Sequence, residues 1–288
     1  DTPGIFASFF GPDPFNLLCV VILTSLGTWG LPQMVQKFYA IDNEASIQKG
    51  TVISTIFALI VSGGCYFLGG FGRLFSDQID VKANGFDSII PTMLSNLSPA
   101  LIALVVILVL SASMSTLSSL VIASSSTLTI DFLKDNFIKN MSDKKQVLYI
   151  RILVVVFIAI SAILALIQYK SSVTFIAQLM GISWGALAGS FLAPFMFSLY
   201  SKKVSKASCW ACFLFSSVLM IANIFFRAGF PTWLQSPINC GAFAMFAGMI
   251  IVPVVSLFTP KPDKELVDSA FACYEKETEV PQKTALGK

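Results

Sequence analysis

The sequence SASMSTLSSLVIASSSTLTIDFLK, at Ser111–Lys134, continues the apolar run Ala100–Leu110. Together the two segments are long enough for one membrane-crossing helix, although the second is crowded with hydroxyl side chains. Small side chains let another backbone approach, and hydroxyl oxygens can face a desolvated cation. Such hydroxyls also bond back to their own helix, so the pattern allows either helix packing or a cation site. One face of this helix carries small and hydroxyl residues at intervals of three and four: Ala112, Ser115, Thr116 and Ser119, continued by Ala123 and Ser126.

The composition is that of a polytopic membrane protein. Of the 288 residues, 55% are hydrophobic and 12% are charged, which is too apolar for a soluble domain. Several apolar runs of about twenty residues are each long enough to span a bilayer. The short alternating segments of an outer-membrane barrel do not occur in the sequence. We therefore predict an all-α integral membrane protein with about seven transmembrane helices.

The transmembrane region is predicted at 1–259 and a cytoplasmic tail at 260–288. A polar connection between the second and third spans is expected to contain a short surface helix near Phe86–Asn96. Gly181, Gly185 and Gly189 repeat every four residues in the fifth span, which predicts close helix packing there. The seven spans are predicted at 14–39, 47–75, 99–134, 146–169, 173–200, 205–226 and 236–258.

The middle of the first span contains residues that interrupt a helix. It reads LGTWGLP from Leu26 to Pro32, with two glycines and a proline. Open backbone at that depth is tolerated where protein covers it or where it lines a cavity. A simple proline kink in a packing helix explains the same residues, and both interpretations stay open.

Lysine and arginine indicate the orientation, because cytoplasmic loops are enriched in them. With the N-terminus outside, fifteen of the nineteen basic residues fall in inside segments. We predict an N-terminus outside and a C-terminus in the cytoplasm. The four basic residues that fall outside are Arg73, Lys82, Lys170 and Arg227.

The chain has six cysteines and no histidine. Cys209 and Cys212 form a CxxC pair, but no second pair or histidine accompanies them, which argues against a zinc site. We interpret the cysteines of the apolar helices as small packing residues. The missing histidine removes the usual proton relay, which favours sodium over proton coupling.

Two blocks of this sequence resemble the sodium:solute symporter family. The Ser111–Lys134 stretch resembles the family's sodium-site helix, in which a small residue and paired hydroxyls precede a hydroxyl-rich run that ends in an acidic residue. The segment GLPQM at 30–34, followed by KFYA at 37–40 and Asp42, is similar to the family's broken helix and its cytoplasmic exit. The proline symporter has Gly-Gln-Pro and Arg-Phe where this chain has Gly-Leu-Pro and Lys-Phe. The similarity covers most of 14–259.

The resemblance implies the leucine-transporter fold, which has two inverted repeats of five helices and further helices outside that core. It matches the first five spans to the second repeat, core helices six to ten, and the last two to peripheral helices. The chain begins at Asp1 rather than Met. We therefore expect a C-terminal fragment of a longer transporter, a fragment that lacks the first repeat.

The resemblance also implies the ligands of the coupling ion. These are the backbone carbonyl of Ala112 and the hydroxyls of Ser115 and Thr116, with Ser118 and Ser119 as a possible second sodium site. A hard cation prefers oxygen ligands, and neutral oxygens with helix dipoles can hold a single charge in a membrane. With this resemblance, the cation interpretation of the hydroxyl face is favoured over packing alone.

The solute site of this fold lies at the bilayer midplane beside the broken helix. The resemblance therefore makes Gly27, Thr28 and Trp29 in the break candidates for lining it, with Gln178 and Ser183 on the fifth span. Trp29 is either a stacking wall or an ordinary packing residue.

The predicted function is sodium-coupled symport of a small organic solute across the plasma membrane, without enzymatic activity. Its expected partners are the solute, sodium ion and the lipid bilayer; no other cofactor and no nucleic acid are expected. The alternatives are a transporter-like sensor, since some relatives carry a signalling kinase, and an inactive truncated membrane protein. A seven-helix receptor is disfavoured because no span has a mid-membrane lysine for a retinal Schiff base or the expected charged cytoplasmic triplet.

Overall fold

The computed structural model describes residues 11–38, 41, 43–79, 85–171 and 176–275. In this part of the chain all regular secondary structure is helical. The chain divides into two compact units, of which one comprises 1–50 with 176–288 and the other comprises 51–175. The predicted exit residues Tyr39, Ala40 and Asp42 lie outside the described residues.

The helices follow the order that hydropathy predicts. The described α-helices are α1 (Pro14–Ser25), α2 (Pro32–Phe38), α3 (Glu44–Gly70), α4 (Ile89–Ser95), α5 (Pro99–Thr127), α6 (Asp143–Ser171), α7 (Ile176–Tyr200), α8 (Lys206–Phe225), α9 (Pro237–Phe258) and α10 (Lys264–Phe271). Short 3₁₀ segments occupy Gly27–Gly30, Phe71–Gln78, Phe86–Ser88, Arg227–Gly229, Thr232–Leu234 and Ala272–Glu275. A π-helical segment, Leu128–Lys134, continues α5 without a break.

Six helical segments of the described chain are long and apolar enough to cross a membrane. They are Ala45–Phe75, Pro99–Lys134, Asp143–Ile167, Gln178–Tyr200, Lys206–Phe225 and Pro237–Phe258. The shorter apolar helix α1 precedes them, so these seven segments correspond in order to the seven predicted spans. The predicted all-α integral membrane fold is confirmed, and the protein is an integral membrane protein. The division into a membrane region and a tail stays a prediction, and residues 276–288 of that tail lie outside the described chain.

Local sequence signals explain where several helices begin. The Asp13 carboxylate accepts a hydrogen bond from the Asn16 N–H at 3.0 Å, and Pro14 stands at the first helical position of α1. The Ser205 hydroxyl likewise accepts from the Ser208 N–H at 3.1 Å at the start of α8. In the polar connection, Phe86–Ser88 and α4 form the short helix that the sequence predicts.

The larger unit is built around α7, α8 and α9, which pack against one another. Glycines of α7 make this packing close. A Cβ on Gly185 would lie 2.6 Å from Gly241 Cα, and one on Gly181 would lie 3.0 Å from the Ile238 nitrogen. The predicted close packing at this four-residue glycine repeat is confirmed. Because the contacts advance together along both helices, α7 and α9 run in the same direction.

The other unit contains the hydroxyl-rich helix. Here α5 packs against α6, and Val121, Ser125 and Thr129 follow one another at four-residue intervals as buried positions. The segment from Ser111 to Leu120 is exposed throughout. The buried stripe and the predicted cation face therefore occupy different sides of one helix.

Candidate functional site

The first membrane segment is interrupted in its middle, as its sequence predicts. Helix α1 ends at Ser25, a 3₁₀ turn covers Gly27–Gly30, and Leu31 is extended with φ −86° and ψ 117°. The Leu31 N–H donates to the Thr28 carbonyl at 3.3 Å. The backbone hydrogen bonds here therefore join residues three apart, rather than four as in an α-helix, before α2 begins at Pro32. The predicted break is thus a real change of backbone direction rather than a smooth bend.

Two glycines of the break are buried against α7, but they differ in how closely they are packed. A Cβ on Gly30 would lie 2.8 Å from Leu192 Cβ, 2.9 Å from the Leu192 nitrogen and 3.0 Å from Ala188 Cα. A Cβ on Gly27 would meet its nearest neighbour, Ala188 Cβ, at 3.5 Å. Only the absence of a side chain at Gly30 lets this backbone lie against α7.

Trp29 and Thr28 have different surroundings from the glycines. Trp29 is 57% exposed and lines a cavity of about 400 Å³ between the break and α7. The Thr28 hydroxyl donates to the Ser25 carbonyl at 2.8 Å, which satisfies it within its own helix. The other residues that line the cavity are mainly apolar: Gly30, Pro32, Val35, Phe191, Pro194, Phe195, Ser198 and Cys209.

Sequence reasoning missed the part of α7 that contacts the break. Phe191, Pro194 and Ser198 line the cavity with Trp29, whereas the candidates on this helix are Gln178 and Ser183. Pro194 was the available signal, because a proline inside a helix removes a backbone donor and often marks a functional irregularity.

The two α7 candidates lie away from the break. Gln178 precedes Ala188 by ten residues, or about 15 Å along an α-helix. Its Oε1 is buried and has no hydrogen-bond partner among the described residues. Ser183 precedes Leu192 by nine residues, about two and a half turns, so it points to the opposite side of α7. It is exposed, and its hydroxyl is 3.4 Å from the Met180 carbonyl. A solute-lining role for either residue stays a prediction.

The candidate sodium ligands on α5 lie next to one another. The hydroxyls of Ser115 and Thr116 each donate to the Ala112 carbonyl at 3.1 Å, so all three oxygens meet at one point of an exposed face. Ser119 donates to the Thr116 carbonyl at 2.8 Å, and Ser118 is exposed. A hydroxyl that donates its proton to a carbonyl retains its lone pairs, so these side chains can still coordinate a cation.

The second half of the hydroxyl-rich stretch contains two residues that sequence reasoning did not single out. Ser125 and Thr129 are fully buried, and the Thr129 hydroxyl donates to the Ser125 carbonyl at 2.8 Å. The Ser125 hydroxyl has no hydrogen-bond partner in the described chain. Thr129 lies in the π-helical segment Leu128–Lys134, an irregularity often found near functional sites.

Comparison with known proteins identifies the family. The sequence profile of the sodium:solute symporter family matches residues 10–214, which is more than half of the chain. The chain belongs to the sodium:solute symporter family. Both the broken first segment and the hydroxyl-rich helix lie within the part of the chain that matches this family.

Its curated relatives in the sodium:solute symporter family include proline transporters. The high-affinity proline transporter PutP of Bacillus subtilis strain 168 is 27% identical over 267 residues, covering 89% of this chain and 54% of that protein. A sodium/proline symporter of Haemophilus influenzae is 27% identical over 267 residues, covering 89% and 52%. The osmoregulated proline transporter OpuE of Bacillus subtilis is 24% identical over 263 residues, covering 91% and 52%.

The chain spans about half the length of the curated relatives it matches. No solved structure matches it at a significant level.

Proposed function

We propose that this chain forms part of a sodium-coupled secondary active transporter for a small organic solute, with proline as the first candidate. The observation that carries the proposal is the interrupted first membrane segment, where the 3₁₀ turn Gly27–Gly30 lies beside a cavity of about 400 Å³. Transporters of related architecture bind solute at such discontinuous helices. Proline is chosen because the relatives named above are proline transporters.

In this proposal, the sodium ion binds at the exposed face of α5. The Ala112 carbonyl and the hydroxyls of Ser115 and Thr116 supply neutral oxygens, with Ser118 and Ser119 as candidates for a second ion. The two 3.1 Å distances to the Ala112 carbonyl support this choice, because a small cation needs several oxygens close together. The ion would replace the bonds that the two hydroxyls make to this carbonyl.

The solute would occupy the cavity beside the break, with Trp29 as an aromatic wall. A large exposed aromatic ring at a cavity edge can stack on a solute ring or close over it. Gly27 and Thr28 belong to the same turn, so they would shape the backbone beside the solute. Gln178 and Ser183 are retained as weaker candidates because of their distance from Ala188 and Leu192.

Transport in this mechanism makes and breaks no covalent bond, so no enzymatic step is needed. Sodium binding would favour one conformation of the transporter, and the solute would bind that conformation more tightly. The inward sodium gradient then drives solute accumulation, because the two binding free energies are coupled. We further propose a plasma-membrane location with the N-terminus outside and the C-terminus cytoplasmic, from the distribution of basic residues.

The test is uptake by the complete gene product in liposomes with an imposed sodium gradient. Labelled proline should accumulate only when sodium is higher outside, and collapse of the gradient should release it. A panel of other amino acids, sugars and small carboxylates is measured in parallel to identify the solute. Proline uptake that does not depend on the sodium gradient would refute the coupling. If no solute of the panel is transported, a sensor or an inactive protein is favoured.

A further inference from the structure

A second cavity lies at the opposite end of α7 from Gln178, where the helix ends. It has a volume of about 410 Å³ and is enclosed by the end of α7, the turn into α8 and the end of α9. Its lining has two parts. Lys203, Lys261 and Ser201 provide polar groups, whereas Phe197, Val252 and Leu257 are among the apolar ones. No proposed step of transport uses this cavity.

Both lysines are available to bind an anion. Lys202 forms an ion pair with Asp268 at 3.0 Å, whereas neither Lys203 nor Lys261 has a carboxylate of the described residues within 4 Å. The nearby Asp263 carboxylate is engaged at the start of α10, where it accepts from the Glu265 N–H at 3.1 Å. Two ammonium groups on one cavity, neither paired with a carboxylate of the described residues, favour a negatively charged occupant.

Ser256, which lines the cavity, is held in place by hydrogen bonds between helices. The Ser256 hydroxyl of α9 donates to the Ser208 hydroxyl of α8 at 2.9 Å and accepts from the Ser205 N–H at 3.3 Å. The Ser205 and Thr259 hydroxyls are 2.6 Å apart. Ser201 differs, because its hydroxyl accepts from the Lys203 N–H at 3.3 Å and retains its own proton for a ligand.

The apolar part of the cavity reaches into the membrane-spanning part of α9. Pro253, which lines the cavity, precedes the last residue of this helix, Phe258, by five residues, or about 7.5 Å along the axis. The lysines lie beyond the ends of α7 and α9, at the level where lipid headgroups meet a spanning helix. A ligand that fills the whole cavity therefore needs an anionic group at one end and hydrocarbon at the other.

We propose that this cavity binds an anionic phospholipid. The lipid phosphate lies between the ammonium groups of Lys203 and Lys261 and accepts a hydrogen bond from Ser201. An acyl chain follows Leu257 and Pro253 inward along α9. Basic pockets between membrane helices are known to hold anionic headgroups in this way.

The experiment measures lipid binding to the complete protein in detergent by native mass spectrometry. Phosphatidylglycerol, phosphatidylcholine and inorganic phosphate are titrated separately. Each lysine near a membrane surface contributes roughly fivefold to anionic lipid binding, so the double variant Lys203→Gln/Lys261→Gln should bind phosphatidylglycerol about 25-fold more weakly. The matched control, Lys144→Gln/Lys145→Gln, removes two exposed lysines at the start of α6 and should bind it as the parent protein does.

Three results would overturn the proposal. Equal weakening in both double variants would indicate general surface electrostatics rather than a site. Equal binding of phosphatidylcholine would exclude recognition of the anionic headgroup. If inorganic phosphate displaces phosphatidylglycerol at a comparable concentration, the cavity is a site for free phosphate. The apolar lining of the cavity would then contribute nothing to binding. A melting curve for each variant checks that it is folded.

Discussion

The packing of the break in the first membrane segment predicts that alanine destabilises the protein at Gly30 but not at Gly27. At Gly30 the new Cβ would lie 2.8 Å from Leu192 Cβ and 2.9 Å from the Leu192 nitrogen, well inside the 3.5–4.0 Å at which carbon atoms pack best. Two of the three nearest atoms belong to the backbone of α7, which cannot rotate away. Gly30→Ala should therefore push the break away from α7 and destabilise the protein.

The expected magnitudes separate the two variants. Overpacking of this kind costs about 1–3 kcal/mol of folding free energy. At Gly27 the nearest neighbours of an added Cβ are 3.5–3.7 Å away, and the backbone is not in the left-handed region. Gly27→Ala should be neutral or stabilise by about 0.4–1 kcal/mol, since alanine restricts the unfolded chain. Unfolding midpoints should thus differ by about 5 °C.

Thermal unfolding is measured with a thiol-reactive fluorescent dye on the complete protein. Cys212 and Cys240 are both fully buried in the same unit as the break, so they react only when this unit opens. Cys65 is exposed and Cys209 is partly exposed, so both of them and Cys273 are replaced by serine in all variants to remove the background signal. If Gly27→Ala lowers the midpoint as much as Gly30→Ala does, the packing argument is wrong.

Transport by leucine variants of the same two glycines distinguishes a hinge from a packing kink. An unwound hinge beside the solute predicts that Gly27→Leu and Gly30→Leu abolish uptake even after uptake is normalised to folded protein. A kinked packing helix predicts less folded protein but normal uptake by what remains. Because Gly30 packs against α7 so closely, we expect its variants to lower both quantities.

Three further predictions concern the sodium site, the solute wall and the topology. Ser115→Ala and Thr116→Ala should each raise the sodium concentration for half-maximal uptake by about tenfold, since a lost oxygen ligand costs about 1–3 kcal/mol. If sodium activation is unchanged in both variants, these residues are not sodium ligands. Trp29→Ala should weaken solute affinity while sodium dependence is retained, as measured by uptake at varied solute concentration. Cysteines placed at Ser142 and Ser201 in a cysteine-free background should resist labelling by an impermeant reagent from outside, and ready labelling of both would reverse the proposed orientation.

A control on the same helix supports the sodium measurement. Ser124 follows Ser115 by nine residues, so it lies on the opposite side of α5. Ser124→Ala removes a hydroxyl of the same chemistry and should leave the sodium dependence unchanged. An equal effect of Ser124→Ala would mean that the variants act through helix stability rather than through coordination.

The sequence by itself determined the elements of the fold. Helices long and apolar enough to cross a membrane are visible in the sequence, because a bilayer requires long apolar segments. The break was also predictable from the sequence, because the glycines and the proline of GTWGLP interrupt an α-helix at their own positions. The glycine repeat of α7 also predicted close packing without stating the partner.

Only the tertiary structure decided which surfaces meet. Periodicity shows that Ser115 and Ser119 share a face of α5, but it cannot show that this face is exposed while Ser125 and Thr129 are buried. Likewise, no local pattern distinguishes Gly27 from Gly30. The difference arises from Leu192, a residue more than 150 positions later in the chain.

The residues that line the candidate solute site could likewise not all be predicted from the sequence. The resemblance to the family makes Gln178 and Ser183 the candidates on the fifth span, whereas the structure brings Phe191, Pro194 and Ser198 to the cavity beside Trp29. The register between two packed helices depends on how their side chains interlock along the whole interface. That interlocking joins segments far apart in sequence, so the residue types of one segment determine its own conformation but not which neighbour it meets.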